Sequence, residues 1–420
     1  MKIRTLLATG GFNIRQWASN IPSVVADLPA AARSDGFDLW HVFGQSDTPE
    51  ATLGLQWKCD ADDLGYKHRP IAYQMLNLGT VYKIMASQYD PIGFVAPFTA
   101  RAKVIVQDLW KSKRTWDDPI EFGDILTRWH TWEQELADLP KLRLPRCYTP
   151  PEVDTKTTNR EVHIFSDASE RVYGSVAYLR TEGHKGSIHT SFILSCSRVA
   201  PKGQLSIPRL ELSAALVGAQ LANLLRKELT LSIQKITLWS DSTTALCWLK
   251  SDSCRYKVFV GTRVAEIQSL SNPENWCYVD TANNPADDIT RGKTVYELSN
   301  EQRWRNGQSF LSLPPHRWPA SPLVDEPDDT VELKGATFCG AITVKEPQLP
   351  NPEQYRSWNG LIRAFKELHD AAATADISPS TLVKREEVIE IKLLLQVQVD
   401  CFPQEVHALM QNKQLPSGSR

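Results

Sequence analysis

The sequence predicts an α/β fold, and three observations in its middle third predict it. EVHIFSD, YGSVAYLR and SFILSCS follow one another closely enough to form an antiparallel meander. SIPRLELSAALVGAQLANLLRKEL then shows helical periodicity, with Leu210, Ala214, Val217, Leu221 and Leu224 on one apolar face. KITLWSDSTTALCWLKS returns to strand alternation and passes into another helix. Helical patterns flank this zone on both sides.

At 420 residues the chain has room for two or three domains, each with its own core. A formal charge of −2 places any nucleic-acid contact on local patches rather than on the chain as a whole. No apolar run approaches the ~20 residues that cross a bilayer, so no membrane association is expected. The start, MKIRTLLATGGF, fits an amphipathic helix ending at Gly10-Gly11; its apolar run is too short for a signal peptide, and an intracellular protein is expected. The 8 cysteines form no CxxC pair and have no histidine cluster at zinc-ligand spacing, which argues against a structural zinc.

Punctuation divides the chain into three zones, without internal repeats or low-complexity tracts. Residues 1–148 end in KLRLPRCYTPPEVD, whose prolines disfavour continued helix. Residues 158–295 hold the α/β pattern. Residues 296–420 run through the proline-rich, acidic LPPHRWPASPLVDEPDD, which reads as a linker, to the helical TLVKREEVIEIKLLLQVQV. In the first zone, Tyr89-Asp90-Pro91 and Gly93 mark a turn before a helix from about Thr99 to Lys113. Arg101, Lys103, Lys111, Lys113 and Arg114, interleaved with Trp110 and Trp116, suit a nucleic-acid backbone. A solvated face with its tryptophans in the core accounts for the same pattern.

Four acids stand out in the α/β zone. Asp167 and Asp241 each end an alternating strand. Glu211 lies in the first turns of a helix, in one row with Ala215, Gly218 and Ala222, small residues that let a sheet approach. Asp287 follows Asn284-Pro285 at a helix start. Each has a bland explanation alone. Asp241 before Ser-Thr-Thr is a natural N-cap, Glu211 suits a helix N-terminus, and Asp287 completes a capping box. Together, at two strand ends and two helix starts, they have the makings of a site for paired divalent ions, which take oxygen ligands and act on phosphodiesters.

FSDAS, PRLEL, WSDS and NPADDITRG, in this order, resemble the ribonuclease H domain of BEL/Pao-type LTR retrotransposon polyproteins. GFNIRQWASN, LGLQW, YDPIGFVAPFTARAKVIVQDLW and WDDP resemble the segment after the polymerase palm, and RWRNGQSFLSLPPHRWP the link towards integrase. The resemblance implies an RNase H-like domain with a mixed five-stranded sheet, preceded by a mainly helical thumb and connection remnant and followed by a helical tail. It implies that Asp167, Glu211, Asp241 and Asp287 hold Mg²⁺ (or Mn²⁺) and hydrolyse the RNA strand of an RNA–DNA hybrid. The implied partners are that hybrid, the reverse transcriptase palm and integrase. The palm's paired aspartates would lie upstream of Met1, so polymerase activity is not expected. Tyr278-Val279 stands where the family often has a histidine, which puts turnover in doubt, and Asp288 adjoins Asp287 as an alternative ligand.

Other readings fit less well. An aspartic peptidase needs an Asp-Thr/Ser-Gly loop, and the nearest string is Asp280-Thr281-Ala282. An integrase-type strand transferase could use Asp167, Asp241 and Glu274, but Glu274 sits in the turn SNPEN and Glu211 would be unexplained. A catalytically idle fragment that only binds nucleic acid is the remaining alternative.

Overall fold

The computed structural model describes residues 2–12, 17, 19–26, 28, 37–38, 55–59, 61–68, 70–111, 115–121, 123–150, 159–183, 186–201, 203, 205–300, 302–320, 331–334, 357–364, 394, 398 and 401–410. Met1–Lys334 form one compact unit and Gly335–Arg420 another. In the second, residues 358–364 and Pro403–Met410 are helical. Most of TLVKREEVIEIKLLLQVQV and the acidic part of the expected linker lie outside the described residues. Among the described residues, no helix is long and apolar enough to cross a membrane.

The first unit begins with two short helices, α1 (Lys2–Thr9) and α2 (Pro22–Val25), and strands β1 (Phe37–Asp38), β2 (Leu55–Lys58) and β3 (Asp63–Tyr66). Helices α3 (Leu78–Ser87), α4 (Ala96–Lys111) and α5 (Asp124–Glu135) follow, and then β4 (Arg143–Pro145). β4 pairs with β3 and completes a four-stranded antiparallel sheet in the order β1-β2-β3-β4. The sequence predicts the helices here but not this sheet, whose strands are too short to display alternation.

The turn before α4 is a cap. The Asp90 carboxylate accepts from the amides of Phe94 (3.1 Å) and Val95 (2.8 Å) and from the Tyr66 hydroxyl (2.6 Å). Satisfying those donors lets α4 begin at Ala96, earlier than the expected Thr99.

Next come β5 (Asn159–Ala168), β6 (Val172–Glu182), β7 (Ile188–Val199), α6 (Ile207–Glu228), β8 (Lys235–Ser240), α7 (Thr243–Lys250), α8 (Val258–Leu270) and β9 (Trp276–Tyr278). The mixed five-stranded sheet has the order β7-β6-β5-β8-β9. β5, β6 and β7 form the antiparallel meander, β8 runs parallel to β5, and β9 parallel to β8. Helices α9 (Asp287–Arg291), α10 (Val295–Asn300) and α11 (Gln302–Asn306) close the zone.

Both faces of this sheet are covered, so β5 is buried almost throughout rather than on alternate residues. Its two sets of side chains still point opposite ways. Val162 and Ile164 join the core formed with Leu212, Ala215, Ala219 and Val264 of α6 and α8. Phe165 faces the other core, which runs without a break from Phe94, Phe98 and Trp132 to Trp304, Phe310 and Leu311. That second core therefore spans the region before the sheet, the sheet itself and the chain after it. Trp304 ties it together, its indole donating to the Phe94 carbonyl at 2.7 Å.

The small-residue row of α6 performs the role its spacing suggests. A Cβ added to Gly218 would stand 2.5 Å from the Ser166 hydroxyl. Helix and strand thus approach closely, which sets Glu211 over the end of β5.

Candidate metal centre

The parallel pairing of β5 and β8 builds the site. Ser166 lies opposite Ser240 in the register, so the next residues, Asp167 and Asp241, leave the sheet side by side at the carboxyl ends of adjacent strands. The crevice outside such ends is where α/β sheets place their ligands. Glu211, from the second turn of α6, closes over them. One carboxylate oxygen from each of the three lies within 4.8 Å of the others. Asp167 is 5% exposed and Glu211 7%, and Glu211 Oε2 is buried with no hydrogen-bond partner among the described residues.

Charge crowding accompanies that burial. Burial pushes the Glu211 carboxyl up to about 9, and the charges of Asp167 and Asp241 add to the shift. Burial likewise pushes Asp167 up to about 7; the Thr290 hydroxyl opposes this, while Asp241 and Asp287 reinforce it. An orphaned carboxylate oxygen within an all-oxygen donor set fits a hard divalent cation.

None of the bland explanations for these acids describes them. The cap of α7 is Ser242, whose side chain accepts from the Ala245 amide (3.2 Å). The Asp241 carboxylate instead accepts from the Thr281 hydroxyl (2.7 Å) and the Asn284 side-chain Nδ2 (3.4 Å). Glu211 is buried rather than on the surface. Asp287 opens α9 instead of falling at its third position, and it pairs with Arg291 Nε at 2.7 Å rather than reaching back to a cap.

Asp287 adjoins the trio without joining the group that comes within 4.8 Å. Its helix is tied to the site through Thr290, whose hydroxyl donates to Asp167 Oδ2. Asp288 is directed elsewhere: it is 1% exposed and held by Arg303 and, at 3.5 Å, by Lys293. Glu274 lies exposed in the turn Pro273–Asn275, and Asp280 caps the turn Thr281–Asn283. Tyr278 is half-buried on β9 beside the α6 and α8 core.

Among the described residues, Arg101, Lys103 and Lys111 do not form one basic surface. Arg101 binds Glu135 (2.8 Å) and Lys103 binds the Ser197 hydroxyl (2.8 Å), so both head groups are engaged within the fold. Both side chains are half-buried where α4 packs against its neighbours. Lys111 keeps an exposed side chain, and Lys113 and Arg114 lie outside the described residues. Trp110 and Trp116 are exposed and pack around Tyr82.

Sequence reasoning missed Thr281 and Thr290, and it gave Asn284 only a capping role. Asn284 Oδ1 does accept from the Ala286 amide (3.2 Å), but its side-chain nitrogen also donates to the Ser166 carbonyl (3.0 Å). The only signal for Thr290 is its position three residues after Asp287, on the same helical face.

Fold and site together define an RNase H-like domain. Residues 79–242 match the family model described as the Pao retrotransposon-like RNaseH-like domain, a stretch that contains Asp167, Glu211 and Asp241. These residues are thus similar to a Pao retrotransposon RNase H region. Among solved structures, the chain is similar to the N-terminal RNase H domain of a Mycobacterium tuberculosis protein fused to maltose-binding protein, at 15% identity over 31% of this chain and 93% of that one, TM-score 0.21. It is also similar to RNase H1 of the halophilic archaeon Halobacterium salinarum NRC-1, at 11% identity over 30% of this chain and 87% of that one, TM-score 0.19. No curated protein matches.

Proposed function

We propose that this chain is a retroelement-derived ribonuclease that uses Mg²⁺ or Mn²⁺ to hydrolyse the RNA strand of RNA–DNA hybrids during reverse transcription. The observation that carries the reading is the convergence of Asp167, Glu211 and Asp241 around the unpartnered Glu211 Oε2. In this reading those three hold the metal and Asp287 is the fourth ligand. Asp287 is preferred to Asp288 because its charge acts on Asp167, whereas Asp288 is buried against Arg303 and Lys293. Divalent ions bound there supply charge neutralisation at the phosphodiester and activation of the attacking water.

The chain's own residues hold the ligands in place. Thr290 fixes the rotamer of Asp167, Thr281 and Asn284 fix that of Asp241, and Arg291 restrains Asp287. Such supporting groups orient ligands and tune their affinity. Selection of the RNA strand would rest on its 2′-hydroxyls. The palm and integrase segments of a retroelement polyprotein are the proposed protein partners.

The test is hydrolysis of a labelled RNA–DNA hybrid in Mg²⁺, with an all-DNA duplex as control. Cleavage confined to the RNA strand, and lost by orders of magnitude in Asp241→Asn, is the expected result. Equal cleavage by parent and variant would refute the metal-centre reading. Hybrid binding without any cleavage would favour the idle nucleic-acid-binding fragment, for which Tyr278 in place of the family's histidine is the specific observation.

A further inference from the structure

A cavity of about 330 Å³ opens between α4, α5 and α9, far larger than the ~10–15 Å³ that one structural water needs. Four guanidiniums line it: Arg101 from α4, Arg128 from α5, Arg171 from the turn between β5 and β6, and Arg291 from α9. Thr290, whose hydroxyl holds Asp167, belongs to the same wall. The cavity therefore adjoins the carboxylate centre and shares a residue with it. Its rim is also tightly built, since a Cβ on Gly292 (φ +78°) would stand 2.6 Å from Arg101 Cγ.

The arginines are held in place without being used up. Arg101 binds Glu135 at 2.8 Å. Arg128 Nη1 and Arg171 Nη2 share one carboxylate, Asp108, at 3.0 and 2.6 Å. Arg291 Nε holds Asp287 at 2.7 Å. Asp124, a further partner of Arg128 at 3.4 Å, is 79% exposed and so well screened. Four cations thus face three closely held carboxylates. Among the described residues, Arg128 Nε and Nη2, Arg171 Nη1 and both Nη atoms of Arg291 have no hydrogen-bond partner. Guanidinium forks anchored on one side and open on the other suit a phosphate.

We infer that this cavity is a backbone-phosphate site, taking a phosphate of the bound nucleic-acid strand other than the one at the carboxylates. It rests on the nuclease reading for the identity of that strand. Because its walls come from α4 and α5 as well as from the sheet domain, it sets the strand's register through both parts of the molecule. Phosphate contacts position a strand without reading its sequence.

Binding without cleavage tests this. Affinity for a hybrid of about 20 base pairs would be followed by fluorescence anisotropy in EDTA across a salt series, for the parent, Arg128→Glu and Thr131→Glu. Thr131 is an exposed position of the cavity wall, so its variant keeps the test valid if Arg128→Glu fails to fold. Each variant is expected to bind about tenfold more weakly, with a salt slope smaller by about one phosphate contact. Arg128→Lys should recover part of the loss. Parent-like affinity and slope in both glutamate variants would overturn the assignment. So would a loss confined to binding of a mononucleotide or inorganic phosphate, which would make this a free-phosphate site. A parent chain that binds with this Arg128 dependence yet never cuts the hybrid would refute the nuclease reading and leave the cavity assignment standing. Cleavage with binding indifferent to Arg128 would do the reverse.

Discussion

Glu211 shows how one residue can be both necessary to a site and harmful to the fold around it. Its carboxyl is pushed up to about 9 from an ordinary 4.5 by burial and by its acidic neighbours, and that of Asp167 to about 7 from 3.8. Between those ordinary and raised values the folded chain retains protons that the unfolded chain has released, so stability falls as pH rises. The metal-free protein should therefore melt at progressively lower temperature from about pH 5 to about pH 9, measured in EDTA. Millimolar Mg²⁺ should flatten that decline, and Glu211→Gln should remove most of it. A metal-free melting temperature that rises across this range would contradict the burial and crowding described here. At the supporting residues, Asn284→Ala should weaken Mg²⁺ affinity about 10- to 100-fold, read by calorimetric titration. Asp167 and Asp241 were legible in the sequence because an acid closing an apolar alternation is conspicuous. Thr290 and Thr281 were not, because their roles depend on partners far along the chain, and no local pattern records such a contact.

Among the elements, α7 separates capping from ligation. Ser242→Ala removes the oxygen that accepts from the Ala245 amide and should cost about 1 kcal/mol in chemical denaturation, with hybrid cleavage retained. Asp241→Asn should do the opposite, leaving metal-free stability little changed while cleavage collapses. The sequence could not assign these roles, since Asp and Ser are both good caps and adjacent. In the structure Ser242 holds the cap, and the pairing of β8 with β5 sets Asp241 beside Asp167 at the carboxyl ends of the two strands. Helix α6 offers a second test. Gly218→Ala places a methyl 2.5 Å from the Ser166 hydroxyl, so helix and strand must separate. A loss of about 1–3 kcal/mol, together with weakened Mg²⁺ binding as Glu211 lifts from β5, is expected from paired denaturation and titration experiments. Loss of stability with unchanged metal affinity would show that Glu211 does not depend on this contact. The α6 row and the meander were readable from spacing alone. The sheet of β1 to β4 was not, because strands of two to four residues carry too few side chains for a period to show.

For the whole molecule, the composition of the second core matters more than the linkers seen in the sequence. Phe165, Tyr178, Phe192 and Trp239 of the five-stranded sheet pack with Phe94 and Phe98 before it and with Trp304 and Phe310 after it. A fragment of residues 158–295 would keep α9 but expose the aromatic part of that face. It should bind a hydrophobic dye and melt without a cooperative transition, whereas residues 55–334 should unfold cooperatively. A sharp calorimetric transition from the shorter fragment would show that the sheet domain supports itself.

The hydrogen bond from Trp304 to Phe94 joins residues 210 positions apart, and this bears on how the protein is born. At the usual ~5–20 residues per second of translation, Trp304 leaves the ribosome about 10 to 40 seconds after Phe94. Late in that interval, once Trp239 has been made, the aromatic face of the sheet is complete but still lacks its cover. The nascent chain therefore completes its core only near the end of this unit, and its need for chaperones is greatest while the sheet waits for α11.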